Sequence, residues 1–234
     1  MVIKRLAANP MWHFARRTTQ RYALDPRPGP HPKSRCLPLG HILRDVLHIA
    51  ENMAEAKQLL NSGKVKVDGA VRKGAAFPAG LMDIVSIDDS HWRILPDKRG
   101  LRLHPITEAE AKTKLLMVKN KTHVHGKAQI NLHDGRNLLV DKDIYKTGDV
   151  LVWDLNAKKP VGHLQFKRGA IAILIGGQSR GLVGRIEDVI IKRGIEPNRV
   201  LLRFEKQNKE TRRDYAFVVG QDKPVISIPE GERK

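Results

Sequence analysis

Residues 39–73 read LGHILRDVLHIAENMAEAKQLLNSGKVKVDGAVRK, and the changes of period within them decide how this part of the chain folds. Leu39, Ile42, Leu43, Val46 and Leu47 recur at the i, i+3, i+4, i+7, i+8 spacing of one helix face, which predicts a short amphipathic helix. A second helix is expected from Asn52, whose side chain can cap the first turn while Glu55 reaches back from the third helical position. Gly63 ends it after Leu59 and Leu60. The period then falls to two. Val65 and Val67 alternate with Lys64 and Lys66, Asp68-Gly69 supplies a type I′ turn, and Val71 returns to close a tight hairpin. Two helices and a hairpin, with Lys57, Lys64, Lys66, Arg72 and Lys73 gathered around them, form a compact basic unit, and a further strand is expected at Ile84 to Ile87.

Toward the N-terminus the composition changes. Residues 1–40 hold six of the thirteen prolines, four of them in the run Pro26-Arg27-Pro28-Gly29-Pro30-His31-Pro32, and proline at that density blocks helix and sheet hydrogen bonding. Residues 1–36 therefore read as an extended arm that builds no core of its own and is unordered before a partner arrives. Trp12, Phe14 and Tyr22 sit there among Lys4, Arg5, Arg16, Arg17, Arg21 and Arg27, a mixture that can stack on bases and neutralise phosphates.

Toward the C-terminus the text is mostly strand. The capping box Thr107-Glu108-Ala109-Glu110 marks one short helix. Leu115 to Val118, Ala128 to Leu132, Leu138 to Val140 and Val150 to Leu155 read as strands, with turns at Asp134-Gly135 and Gly148-Asp149. Ala170 to Ile175, Val183 to Ile191, Val200 to Phe204 and Tyr215 to Val219 continue the style. Many short strands with glycine turns favour small barrels, so the fold class is α+β and mostly β.

The whole chain has 234 residues, 43 Lys and Arg against 25 Asp and Glu, a net charge of +18, and 41% hydrophobic residues. A folded protein with that excess calls for a polyanion, since like charge destabilises the compact state unless it is neutralised. The excess is uneven: residues 1–40 carry +7, residues 41–103 +2, residues 104–168 +5 and residues 169–234 +4. The longest apolar run, Ala170 to Ile175, is far short of a membrane helix, and the charged start at Lys4-Arg5 does not suit a secretory signal. One cysteine, Cys36, forms no disulfide within the chain, which fits a reducing, cytoplasmic location.

Motifs with possible chemistry give little. His123-Val124-His125 places two imidazoles on one side of a strand without a third ligand nearby, and His31, Cys36 and His41 are read in the same way, as solvated or phosphate-facing groups rather than metal ligands. Gly176-Gly177-Gln178-Ser179-Arg180-Gly181-Leu182-Val183-Gly184-Arg185 follows an apolar strand, yet no Gly-Lys-Ser/Thr closes it and a strand, not a helix, comes next. It reads as a nucleic-acid-contacting hairpin carrying Arg180 and Arg185. Asp88-Asp89 and Glu187-Asp188 are neighbours on strands, so they point to opposite faces and cannot act as a catalytic pair. No catalytic residue, metal or cofactor is expected.

Several ordered blocks together resemble one family, the small-subunit ribosomal protein called S-four-e in archaea and eukaryotes. They are Lys4-Arg5-Leu6-Ala7-Ala8 with Trp12, Arg27-Pro28-Gly29-Pro30-His31, Cys36-Leu37-Pro38-Leu39, and Val67-Asp68-Gly69-Ala70-Val71-Arg72. Phe77-Pro78-Ala79-Gly80-Leu81-Met82-Asp83-Ile84-Val85-Ser86-Ile87-Asp88 is the most specific; Ile175-Gly176-Gly177 with Gly181, and Lys223-Pro224-Val225-Ile226-Ser227-Ile228-Pro229, follow in order. Val225 stands where the family tends to have Trp, and the basic tail of eukaryotic members is absent after Lys234, which suggests the short archaeal type.

The resemblance implies an arm over residues 1–36 and an S-four-like RNA-binding module over 37–103. It further implies a central β-barrel-like domain over 104–168 and a C-terminal SH3-like KOW β-barrel over 169–234. It implies a structural, non-catalytic component of the small ribosomal subunit, in the cytoplasm, with ribosomal RNA and neighbouring ribosomal proteins as partners and neither a membrane nor a small-molecule substrate. The residues expected at RNA are Lys4, Arg5, Trp12, Arg16, Arg17, Arg21, Arg27, Lys57, Lys64, Lys66, Arg72, Arg180 and Arg185. Two other readings were weighed: an RNA-modifying enzyme of the pseudouridine synthase type, which needs a larger α/β domain than these strands supply, and a free transcription or elongation factor using the KOW-type segment.

Overall fold

Val2–Lys4 (β1) and Tyr22–Leu24 (β2) pair antiparallel, Ile3 opposite Ala23. The computed structural model describes residues 2–4, 8, 9, 12, 22–124, 126–141, 143–192, 194–204 and 207–229. Two compact units divide the chain: Met1–Leu95 with Arg99–Lys114, and Pro96–Lys98 with Leu115–Lys234.

In the first unit, strand β3 (Cys36–Pro38) leads into α1 (Leu39–His41), which runs on as a π-helical turn over Ile42–Val46. Leu39, Ile42 and Leu43 are fully buried, as the periodicity requires, and Leu47 N–H donates to the Ile42 carbonyl at 2.9 Å. Helix α2 (Met53–Asn61) is capped by Asn52, whose Oδ1 accepts from Glu55 N–H at 2.9 Å. The Glu55 carboxylate reaches back one residue further than the expected box, to Glu51 N–H at 2.8 Å. β4 (Val65–Val67) and β5 (Ala70–Val71) form the hairpin, with Asp68 at φ 51° and Gly69 at φ 77° in the turn. β6 (Pro78–Gly80) pairs with β3, and β7 (Ile84–Ile87), β8 (Ser90–Asp97) and β9 (Gly100–Ile106) complete a five-stranded sheet in the order β5-β4-β7-β8-β9. Val65 opposes Ile87 and Val67 opposes Val85, so these four side chains share the buried face. The N-cap half of the expected box is present: α3 (Glu108–Ala111) starts at Thr107, whose side chain accepts from Glu110 N–H.

The second unit holds two five-stranded sheets. β10 (Thr113–Val124), β11 (Lys127–Leu132), β12 (Asn137–Val140), β13 (Val150–Asp154) and β14 (Lys159–Leu164) are ordered β12-β11-β10-β13-β14. Their core is Leu116, Val118, Ile130, Leu132, Leu151 and Trp153. β15 (Ile171–Leu174), β16 (Val183–Ile190), β17 (Arg199–Arg203), β18 (Asn208–Arg212) and β19 (Ala216–Gly220) form an antiparallel sheet in the order β18-β17-β16-β15-β19. Val183 to Ile190 is indeed a strand, so the glycine-rich segment joins two strands of one sheet.

The arm departs from its sequence reading. Where described, it lends side chains to the first unit: Trp12, Ala23, His31 and Cys36 are buried, and the Trp12 indole N–H donates to the Cys36 carbonyl at 2.7 Å. Arg27 N–H donates to the Ala76 carbonyl at 2.9 Å. Proline removes donors from the segment, but it leaves the ring faces and the remaining N–H groups free to pack on a neighbour.

Candidate nucleic-acid interface

The first unit encloses a cluster of charges. Asp68, in the hairpin turn, and Asp83, in the turn before β7, both face inward and meet at Lys114, whose Nζ lies 2.6 Å from Asp68 Oδ2 and 2.6 Å from Asp83 Oδ1. His31 of the arm adds its Nε2 at 2.9 Å from Asp83 Oδ1, and Gly80 N–H donates to Asp83 Oδ2 at 2.9 Å. Burial alone would raise the Asp83 carboxyl, but Lys114 and His31 more than offset it and hold it well below the usual carboxylate range. Asp68 goes the other way, pushed up by burial and by the charge of Asp83 against the pull of Lys114. Gly80 is glycine because of this cluster: a Cβ there would stand 2.2 Å from the His31 ring.

Two more buried groups complete the frame. Arg93 is fully buried, donates to the Glu110 and Thr113 carbonyls at 2.9 and 2.8 Å, and is pulled down to about 10 by burial against the opposing Glu110 and Asp68. His41 accepts from Leu24 N–H at Nε2, 2.9 Å, so its other ring nitrogen carries the proton that it gives to Asp45. The reading of His31, Cys36 and His41 as solvated groups is corrected: all three are interior. Burial, with Asp83 and Asp25 nearby, pushes the Cys36 thiol up to about 12, which leaves it unreactive. His123 is exposed on β10, and His125 lies outside the described residues.

Outside this cluster a set of basic groups is exposed. Lys57 on α2, Lys64 before β4, Lys66 on β4 and Arg72 and Lys73 after β5 are all exposed and form no ion pair among the described residues. Arg72 is set in place by the Phe77 ring, 4.6 Å from its guanidinium carbon to the ring centroid. Lys66 projects from the face opposite Val65 and Val67, in the row that continues through Ser86 and His91. These exposed cations are carried on a helix and a hairpin, and groups of this kind neutralise phosphates.

The other expected residues fall in different places. Lys4 on β1 and Arg27 after β2 are exposed. Trp12 is 3% exposed and engaged through its indole, so it serves the packing of the arm, and its face is not presented for base stacking. Arg5, Arg16, Arg17 and Arg21 lie outside the described residues. In the second unit Arg185 is exposed directly opposite Arg203 on β17, whose guanidinium also faces the Glu187 carboxylate at 3.8 Å. Arg180 is half-buried beside the glycine loop, whose shape is fixed by Tyr215: a Cβ on Gly176 would press within 2.7 Å of that ring, and Gly177 has φ 77°. Lys119, exposed on β10, went unnoticed in the sequence because no turn or repeat singles it out.

The family model described as Ribosomal family S4e matches residues 88–160. The small ribosomal subunit protein eS4 of Aeropyrum pernix is 41% identical over 99% of this chain and 96% of its own length. That of Methanothermobacter thermautotrophicus is 41% identical over 91% of this chain and 89% of its own length. The crystal structure of 30S ribosomal protein S4e from Thermoplasma acidophilum superposes with a TM-score of 0.70 at 30% identity, covering 78% of this chain and 94% of that one. With identity at this level along nearly its whole length and a mostly β α+β fold like that of the solved protein, the chain belongs to the ribosomal S4e family.

Proposed function

We propose that the chain is a structural constituent of the small ribosomal subunit that holds ribosomal RNA by its phosphates and performs no chemistry of its own. The observation that carries this is the set of exposed cations on α2 and the hairpin: Asp68 and Asp83 are engaged inside by Lys114 and His31, while Lys57, Lys64, Lys66 and Arg72 are exposed and form no ion pair among the described residues. Arg180 and Arg185, with Lys4 and Arg27, are further contacts, and neighbouring ribosomal proteins are further partners. The antiparallel sheet β15 to β19, with its glycine loop, supports reading residues 169–234 as a KOW-type, SH3-like domain, and the sheet of β10 to β14 supports a separate central domain.

The test is a titration of in vitro transcribed small-subunit RNA over a range of salt. Each phosphate contact contributes about 0.7 to 0.9 to the log–log slope, so replacing Lys64, Lys66 and Arg72 by alanine should flatten the slope by about 2. A slope near zero in the native protein would refute the reading. Release of tritium from uridine-labelled RNA would instead favour a modifying enzyme, and sedimentation apart from small subunits a free factor.

A further inference from the structure

The outer face of the central sheet is unlike the rest of this highly charged surface. Opposed residues of neighbouring strands point to the same side, so the register sets Asn120, Asn131 and Asn137 in one row and Thr122, Gln129 and Leu139 in the next. Ile130 and Leu138, on the other side, belong to the core. Asn120, Thr122, Asn137 and Leu139 are exposed, and Asn131 and Gln129 half-buried. The amides are joined: Gln129 Nε2 donates to Asn131 Oδ1 at 2.8 Å, and Asn131 Nδ2 donates to Asn120 Oδ1. Neither row contains a charge. The whole stretch from Val118 to Leu132 has no acidic residue, while Lys119, Lys121 and Lys127 stand in it, and Asp141 and Asp143, from the following segment, are held by Lys127 and Lys121.

Asparagine is disfavoured in strands, so a row of three across three strands costs the sheet stability that Thr or Val would supply. Amides also suit a particular ligand. They both donate and accept, as the ribose 2′-hydroxyl and base edges do, whereas a phosphate calls for cations. In A-form RNA those groups line a wide, shallow minor groove into which a flat sheet face can settle, with Leu139 against the sugars. Lys119 stands exposed beside the rows, and Lys121 and Lys127 pair with Asp143 and Asp141, so the surroundings are close to neutral, as suits a contact made through amides and hydroxyls.

We infer that the face formed by Asn120, Thr122, Gln129, Asn131, Asn137 and Leu139 is a second RNA site, one that reads the minor groove of a duplex through 2′-hydroxyls and base edges. It rests on the RNA-binding function proposed above, but differs from it in salt behaviour, since it releases no counter-ions.

Two measurements on the full chain test it. In the RNA titration, Asn120, Gln129 and Asn131 replaced together by threonine, which favours strands, should weaken binding about tenfold or more with the salt slope unchanged. The lysine and arginine replacements on the α2 and β4–β5 surface should lower the slope instead. Absence of RNA binding by the native protein would overturn the general function, whereas native binding with an unaffected threonine variant would overturn only the second site. Independently, Thr122→Cys gives the one reactive thiol, because Cys36 is buried and unreactive. An iron chelate tethered there should cut both strands across a minor groove of the RNA in reconstituted small subunits. Uncut RNA, with cleavage of a neighbouring protein, would assign the face to a protein partner and overturn the inference.

Discussion

Lys114 is a buried cation held between two carboxylates, and its removal would leave Asp68 and Asp83 facing each other in the interior. Breaking one side of such a buried cluster costs about 3–5 kcal/mol, so Lys114→Met should lower stability by that amount in urea melts. Acid should act on the same cluster. The Asp83 carboxyl lies below its unfolded value, so its contribution is present at neutral pH and is lost as pH falls below about 4 toward the folded pKa. Asp45, held down by His41 and Arg44 in spite of burial, adds with the same sign, while Asp68, pushed up, works against them as pH rises. Thermal melts from pH 7 to pH 3 should therefore show the native protein losing stability, with the gap between it and Asp83→Asn closing. Nothing in the one-dimensional pattern marks Asp68, Asp83, His31 and Lys114 as partners, because the separations run to 52 residues between His31 and Asp83. Two of the blocks that carried the family resemblance nonetheless contain Asp68 and Asp83, and the arm block contains His31.

Among the elements, those with a clean period were legible: α1 and α2 through their apolar stripe and Asn52 cap, β4 and β5 through alternation and the Asp68-Gly69 turn. Three of the missed strands break the period for a physical reason. β8 buries Arg93 where an apolar residue is expected and contains Pro96. β14 contains Pro160 and Gly162, and β18, Asn-Lys-Glu-Thr-Arg, is wholly polar. The last two are sheet edges, where proline is tolerated and charge is favoured. For the arm, density of proline was a poor guide to order. Its Leu24 N–H is held by His41 and its Arg27 N–H by Ala76, so both amides should exchange slowly in hydrogen-exchange measurements without RNA. Trp12→Ala should destabilise the first unit by about 3–5 kcal/mol, the usual loss for a buried aromatic, and should speed both exchanges.

At the scale of the whole chain, composition named a polyanion and the family resemblance named ribosomal RNA, but neither said which charges are available. That depends on which carboxylates turn inward, a tertiary fact. Asp68 and Asp83 are held inside by Lys114 and His31, while Asp88 and Asp89 stay exposed, and it is the exposed Lys57, Lys64, Lys66 and Arg72 that should set this unit's share of the salt slope of RNA binding. The polar edge strand β18 has a different consequence, for the life of the chain before assembly. A newly made copy waits in solution with its RNA-facing surfaces bare, when an open strand edge would recruit other copies into fibres. Glu210, Arg212 and their neighbours make that edge a poor template, so charge that looks idle in the finished particle keeps the unassembled protein dispersed.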